Sequence, residues 1–328
     1  MSPKVSVAMI AYNHERFVAQ AIESVLAQKV DFPMEIVFGE DCSTDNTREI
    51  VRSLASDHPE RFTLLFPEKN LGMNRNLAAT IRACRGQYVA LLEGDDYWTD
   101  PEKLQRQADY LDAHPECSIC FTRATVIDEA NQPLDIPSPI RAVKPVYPLR
   151  DYLARSFQPR TCTVMFRNRL FEDFPDWFYQ LPVGDFPLHV LNAQHGDFGL
   201  LDRTTSAYRI HPGGIWSMGY TPTEWSSQTR EQSLRNAARM RDLIKIYETV
   251  GTHLGADYRP VIREQIGIFS HLLTVAYRSL GDWPKMRASV RKQLRTLPLP
   301  QQVPLSALLS DLVMSHLPFL ARTTRPLN

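Results

Sequence analysis

Two adjacent carboxylates, Asp95 and Asp96, follow the apolar stretch from Tyr88 to Leu92, which reads as a buried strand. Ligands of open α/β sheets gather at the carboxyl ends of strands. A carboxylate pair at such an end supplies hard oxygen ligands, suited to Mg²⁺ or Mn²⁺ holding a diphosphate. Gly94 is expected to turn the chain sharply, so that both acids face one site despite strand alternation. The bland alternative is an Asp-Asp turn ahead of the next helix, which Asp100-Pro101 announces with a capping acid and a proline in the first turn.

The elements that must hold this pair alternate in kind. Strand-like runs cover Lys4 to Ile10, Glu35 to Phe38, Phe62 to Phe66 and Tyr88 to Leu92. Helical patterns separate them: Phe17, Val18, Ala21, Ile22, Val25 and Leu26 share one face, as do Ile50, Val51 and Leu54, and Leu77, Ala78, Ile81 and Cys84. That alternation calls for a mostly parallel sheet with right-handed crossovers. Neither G-x-G-x-x-G nor G-x-x-x-x-G-K-[ST] occurs where it would be needed, which argues against a dinucleotide fold and a P-loop.

Further along, Cys117 to Ile127 and Thr161 to Phe166 read as strands, and the sheet is expected to become mixed. The five prolines of residues 133–148 mark an excursion or flap. Phe198 to Leu201 and Thr204 to Ile210 read as two short strands, and a Gly-rich turn follows from Tyr208 to Trp216. From Thr223 the texture is helical, over Glu224 to Val250, Tyr258 to Leu280 and Pro284 to Leu297, with a hinge at Ala276 to Trp283. Val303 to Leu320 is apolar but interrupted, a docking helix or a membrane-surface helix.

Bulk properties narrow the class. The 328 residues are 43% hydrophobic and 23% charged, ordinary for a globular protein. Thirty-seven basic and 37 acidic residues cancel, so no global field argues for nucleic acid, and an anionic ligand must be met by local groups. Five cysteines make no disulfide framework; Cys117 and Cys120 lie in an apolar run and read as buried thiols rather than zinc ligands. No signal peptide and no apolar run of about 18 residues is evident. A cytoplasmic location is the resulting expectation.

Four separated pieces, Val5 to Asn13, Glu40 to Thr47, Glu93 to Asp96 with Asp100 to Leu104, and Gly184-Asp185, resemble in that order the family 2 inverting glycosyltransferases with the GT-A fold. The likeness covers residues 4–216. It implies an α/β fold, a GT-A (nucleotide-diphospho-sugar transferase) mixed sheet flanked by helices, over residues 1–220, and a helical C-terminal region over 221–328. It also implies a UDP or dTDP sugar donor, a sugar or lipid-linked glycan acceptor, and a role in cell-surface polysaccharide or glycolipid synthesis. Contact with the inner membrane face through the C-terminal helices would fit such an acceptor.

By the same resemblance Asp41 accepts the imide N–H of the base, Tyr12 contacts the base, and Arg75 offsets diphosphate charge. Asp95 contacts ribose or metal, Asp96 is the main ligand of Mn²⁺ or Mg²⁺, and His211, from a mobile loop, completes the metal shell or touches the diphosphate. Asp185 is the catalytic base. The family's usual acidic pair before the second loop is Glu40-Asp41 here, which leaves Asp41 in place. Trp98 and Trp216 offer faces for a sugar, while His14, His58 and His114 read as surface or turn residues. The rival from another class is a catalytically silent nucleotide-sugar or glycan-binding scaffold. A nucleotidyltransferase is disfavoured because Ala11 to Glu15 lacks a Gly-rich, basic loop.

Overall fold

The structure is a computed structural model describing residues 2–214 and 229–296. The chain divides into two compact units, Met1–Gly214 and Ile215–Asn328. Trp216, the expected boundary at residue 220 and the run Val303 to Leu320 lie outside the described residues.

The first unit begins β1 (Val5–Ala11), α1 (Val18–Leu26), β2 (Met34–Glu40), α2 (Thr47–Ser56), β3 (Phe62–Leu65), α3 (Met73–Ala83) and β4 (Tyr88–Glu93). β1 is hydrogen-bonded in parallel to β2 on one side and β4 on the other, and β2 pairs in parallel with β3. Strands covered on both faces need apolar residues throughout rather than alternation. Val5, Val7, Met9 and Tyr88 to Ala90 are accordingly fully buried, each large apolar side chain contributing about 1.5–3 kcal/mol on burial. The order β3-β2-β1-β4 reverses between β1 and β4. A crevice at such a reversal, outside the carboxyl ends, is where ligands bind.

The remaining elements are β5 (Tyr97–Trp98), α4 (Lys103–Ala113), β6 (Cys117–Ile127), β7 (Val146–Tyr147), α5 (Leu149–Leu153), β8 (Val164–Arg167), α6 (Asp185–Ala193) and β9 (Asp197–Arg209). They extend the sheet to nine strands in the order β3-β2-β1-β4-β8-β6-β9-β5, with β7 on β9. β8 runs antiparallel to both neighbours, so the sheet is mixed.

Two local expectations shift. Thr161–Thr163 is a tight turn rather than the start of a strand, closed by the Thr163 N–H and hydroxyl donating to Arg160 O at 2.9 and 2.7 Å. The two short strands expected after Asp197 are one, β9, whose pairing with β6 slips opposite Phe121 to Arg123 to absorb the polar Asp202-Arg203. Cys117 and Cys120 are buried in β6, and burial pushes their thiols up to about 11 and about 12.

The second unit contains α7 (Arg230–His253), α8 (Arg259–Leu280) and α9 (Trp283–Leu294). Thr229 begins α7 with a capping box, its hydroxyl accepting from Gln232 N while Gln232 returns to Thr229 N. Gly281, at φ 68°, ends α8 in the left-handed region that glycine tolerates best. No helix among the described residues is long and apolar enough to cross a membrane.

Charge is sorted between the units. Residues 1–214 hold 22 Lys and Arg against 29 Asp and Glu, while residues 215–328 hold 15 against 8.

Candidate active site

β4 delivers its acids at the reversal point. Gly94 N donates to Ile10 O at 2.9 Å, continuing the β1 ladder, and Asp96 N closes a turn on Glu93 O at 3.2 Å. A Cβ on Gly94 would stand 2.9 Å from Ala11 Cβ and 3.0 Å from His14 Nδ1. Its φ is not in the left-handed region, so glycine is required here for close approach rather than for an unusual turn.

Arg209, the last residue of β9, clamps that turn. Its backbone N–H donates to Asp96 Oδ1 at 2.8 Å and its guanidinium to Asp95 O at 2.8 Å. The same guanidinium reaches Gln20 Oε1 at 2.9 Å and Asp128 O at 3.1 Å, and lies 4.6 Å over the Phe17 ring. Only 2% of Arg209 is exposed. Burial pulls its pKa below the ordinary arginine value, and nearby anionic groups oppose that pull.

The two carboxylates are treated differently. Asp95 Oδ2 meets His211 Nε2 at 3.0 Å and His14 Nε2 at 3.9 Å. Burial works against ionising Asp95, but His14 and His211 outweigh it and hold the acid below its usual range. Asp96 is 2% exposed, and its Oδ2 is buried without a well-formed hydrogen bond, the Cys162 thiol being a weak donor beside it. Burial and the Asp95 charge raise Asp96 well above the carboxylate range. Glu93 is raised well above it too, by burial and then by Asp95, Asp96 and Asp185.

Of the residues expected near a metal, His211 stands against Asp95. Glu93, Asp95 and Asp96 bring one oxygen each within 4.8 Å of one another, as do the ligand atoms of His14, Asp95 and His211. Crowded, poorly compensated carboxylates with a buried lone oxygen fit a divalent cation, which would remove their mutual repulsion.

Asp185 opens α6. Its Oδ1 accepts from Phe186 N at 2.7 Å, yet the side chain makes no N-terminal cap of the helix. Asn74 of α3 donates to three carbonyls of the preceding segment, Phe178, Leu181 and Val183, at 2.9, 2.8 and 3.2 Å. Gly184 packs so tightly on α3 that a Cβ would stand 2.8 Å from Leu77 Cδ2 and 3.0 Å from Asn74 Oδ1. The position of Asp185 is thus dictated by α3, and its charge is felt at Glu93.

The expected nucleotide contacts lie around the ends of β1 and β2. Tyr12 is 44% exposed, free of the core. Asp41 is 3% exposed, and its two oxygens accept from Leu71 N at 2.7 Å and Gly72 N at 3.0 Å. Burial raises its pKa despite those two donors. Each oxygen keeps a second lone pair, so the residue tethers the loop before α3 and can still accept one more N–H. Arg75 is exposed, with its guanidinium 4.9 Å over the Tyr179 ring. Trp98 is core: its indole donates to Cys162 O at 2.9 Å and the Lys103 ammonium sits 4.5 Å over its ring.

The family model for glycosyl transferase family 2 matches residues 6–173, just over half of the chain. The chain belongs to glycosyl transferase family 2. The Mycobacterium tuberculosis protein Rv1520, uncharacterized, is 36% identical over 226 residues, 69% of this chain and 64% of that protein. This family 2 chain therefore spans somewhat less than two thirds of that relative's length. Among solved structures, S. aureus TarS 1-349 in complex with UDP-GlcNAc matches with a TM-score of 0.55 at 18% identity, over 89% of each chain. The mannosyltransferase PcManGT from Pyrobaculum calidifontis, in complex with GDP-Man and Mn²⁺, matches at 0.56 and 14%, over 96% of this chain and 88% of that one. At those identities the likeness shows the fold, which is GT-A.

Three residues of this family 2 site escaped sequence reasoning. Arg209 is given no role there, Glu93 figures only as the first residue of the Glu93 to Asp96 piece, and His14 reads as a surface or turn residue. For His14 a signal was available: it comes three residues after β1, whose Ile10 pairs with Glu93, two residues before Asp95, in the parallel ladder.

Proposed function

We propose that this protein moves a sugar from a nucleoside-diphosphate sugar to an acceptor hydroxyl by a single displacement that inverts the anomeric centre. The observation that carries the reading is the meeting of two acid groups in one electrostatic neighbourhood. The Asp185 charge, from the start of α6, bears on Glu93 at the end of β4, whose carboxylate lies with those of Asp95 and Asp96.

In this reading Asp185 Oδ1 is occupied by Phe186 N–H, which leaves Oδ2 to take the proton. The acceptor hydroxyl gives that proton to Asp185, its oxygen forms the bond to the anomeric carbon, and the bond to the diphosphate breaks with its electron pair leaving on the phosphate. A divalent cation held by Asp95, His211 and the open oxygen of Asp96 would supply Lewis-acid stabilisation of the leaving diphosphate. Mn²⁺ is favoured by the imidazole ligand, and Mg²⁺ is the alternative ion. Arg209 holds the carboxylates in register. Tyr12 offers a face for the base, Asp41 an acceptor for the imide N–H of a UDP or dTDP donor, and Arg75 a positive charge near the diphosphate. The crystal partners of the two GT-A neighbours, UDP-GlcNAc and GDP-Man, support a nucleotide-sugar donor.

For the acceptor we infer a sugar or lipid-linked glycan of cell-surface polysaccharide or glycolipid synthesis, met at the cytoplasmic membrane face by the helical region, residues 221–328. The net positive charge of that part of the chain supports contact with anionic headgroups.

The test is Asp185→Asn in the full chain. Transfer should fall about 10²–10⁴-fold while donor affinity stays within a few-fold, the share a general base contributes. Transfer at the parent rate would remove the base assignment, and failure of the parent to release sugar from any nucleotide sugar with Mn²⁺ would favour a silent scaffold.

A further inference from the structure

We propose that His14 is a further protein ligand of the cation, beside Asp95, Asp96 and His211, and that the presence of two imidazoles in the set makes the site select Mn²⁺ over Mg²⁺. This rests on the metal-dependent reading above and adds a residue from the far side of the crevice.

Two ring nitrogens converge on one oxygen. Asp95 Oδ2 stands 3.0 Å from His211 Nε2 and 3.9 Å from His14 Nε2, and the three ligand atoms all lie within 4.8 Å of one another. Ligands bound at about 2.0–2.2 Å stand roughly 3.0–3.6 Å apart on one ion. Closing the observed triangle onto a cation takes under about 1 Å of side-chain movement, without moving the backbone.

The backbone of His14 is held where the ring must point. Asn13 takes φ 57°, in the left-handed region, and turns the chain out of β1. His14 N then donates to Thr47 Oγ1 at 2.8 Å, and His14 O accepts from Phe17 N and Val18 N, both at 2.9 Å, as α1 begins. Glycine at position 94 leaves room for the ring, since a Cβ there would crowd Nδ1. His211 lies edge-on to it, with ring centroids 6.1 Å apart at 81°, and edge-on to Phe17 at 5.0 Å.

Among the described residues no hydrogen bond engages this imidazole. Its Nδ1 is buried with no hydrogen-bond partner, and 3.9 Å from Nε2 to Asp95 is too long for a hydrogen bond. A largely buried ring that spends neither nitrogen on the protein is costly as a packing residue and apt as a ligand. Imidazole suits the borderline transition metals, whereas Mg²⁺ prefers an all-oxygen shell and keeps its waters. Two imidazoles should therefore widen the preference for Mn²⁺ that one alone would give.

The experiment titrates the full chain with Mn²⁺ alone, followed by the electron paramagnetic resonance of the free ion, with Mg²⁺ competition. The parent is compared with His14→Gln, His14→Ala and Asp95→Asn, each checked for an unchanged melting temperature without metal. Both His14 variants should bind Mn²⁺ at least tenfold more weakly while Mg²⁺ affinity changes less than threefold. The nitrogen hyperfine signal of bound Mn²⁺ should drop from two imidazoles to one. If Asp95→Asn abolishes Mn²⁺ binding but both His14 variants keep the parent affinity and both nitrogens, His14 is no ligand and the metal reading survives. If the parent itself binds no Mn²⁺, both are overturned.

Discussion

Replacing Arg209 by Met tests whether one buried guanidinium holds the acidic turn together. Methionine keeps much of the apolar stem and its packing on Phe17 but removes every side-chain donor. Three acceptors lose their partner: Asp95 O, Asp128 O and Gln20 Oε1, at 2.8, 3.1 and 2.9 Å. Hydrogen bonds from a charged donor contribute about 1.5–3 kcal/mol each, but the buried charge itself is costly, as its lowered pKa records, so the gains do not simply add. The net loss should be about 3–5 kcal/mol, a large share of the 5–15 kcal/mol typical of a folded protein. Arg209→Lys should recover little of it, because one ammonium cannot reach three acceptors on different elements. Urea unfolding, followed by tryptophan fluorescence, reads the loss as a lower midpoint at unchanged slope. A shift below about 0.5 kcal/mol for Arg209→Met would refute the clamp, as would a lysine variant equal to the parent.

Three further outcomes follow from the same geometry. Gly184→Ala should cost about 1–3 kcal/mol through contact with Leu77 and Asn74, and should reduce transfer more than donor binding because it displaces Asp185; equal kcat in the two proteins would contradict this. Burial lowers His189 to about 4, so between pH 6.5 and 4 the unfolded chain takes up a proton that the folded chain refuses, and stability falls with pH. The stability difference between parent and His189→Phe should shift by on the order of 3 kcal/mol across that window, and a flat difference from pH 7 to 4 would exclude the effect. The full chain should cosediment with vesicles of anionic phosphatidylglycerol but not of neutral phosphatidylcholine, and should be released by salt near 0.5 M, where screening is roughly twice as short-ranged as at 0.1 M; salt-independent or lipid-independent sedimentation would exclude an electrostatic contact.

The parallel half of the sheet was legible because its signal is local. A strand buried on both faces needs an unbroken apolar run, and Val5 to Ile10 and Tyr88 to Leu92 can be little else. β9 was harder. Its middle, Asp202-Arg203, is polar because the pairing slips there, and a slipped ladder looks in sequence like the gap between two strands. Asp185 stands out in the sequence through its Gly-Asp context, but the reason for the glycine lies in the Leu77 and Asn74 side chains, more than a hundred positions away. Arg209 was unreadable for the same reason, since its partners are spread over Gln20, Asp95 and Asp128.

The balance of 37 basic and 37 acidic residues gives the sharpest case of a true number with a misleading consequence. Taken over the whole chain it excludes a field. Divided at the boundary between the compact units, it becomes an acidic catalytic part and a basic helical part. The division bears on mechanism. An acidic surround disfavours a nucleoside diphosphate, so on the proposed reading the first unit would meet that ligand with a bound cation, and it is there that uncompensated carboxylates crowd around Asp95. The surplus positive charge belongs instead to the second unit, where the proposed membrane contact would draw on it.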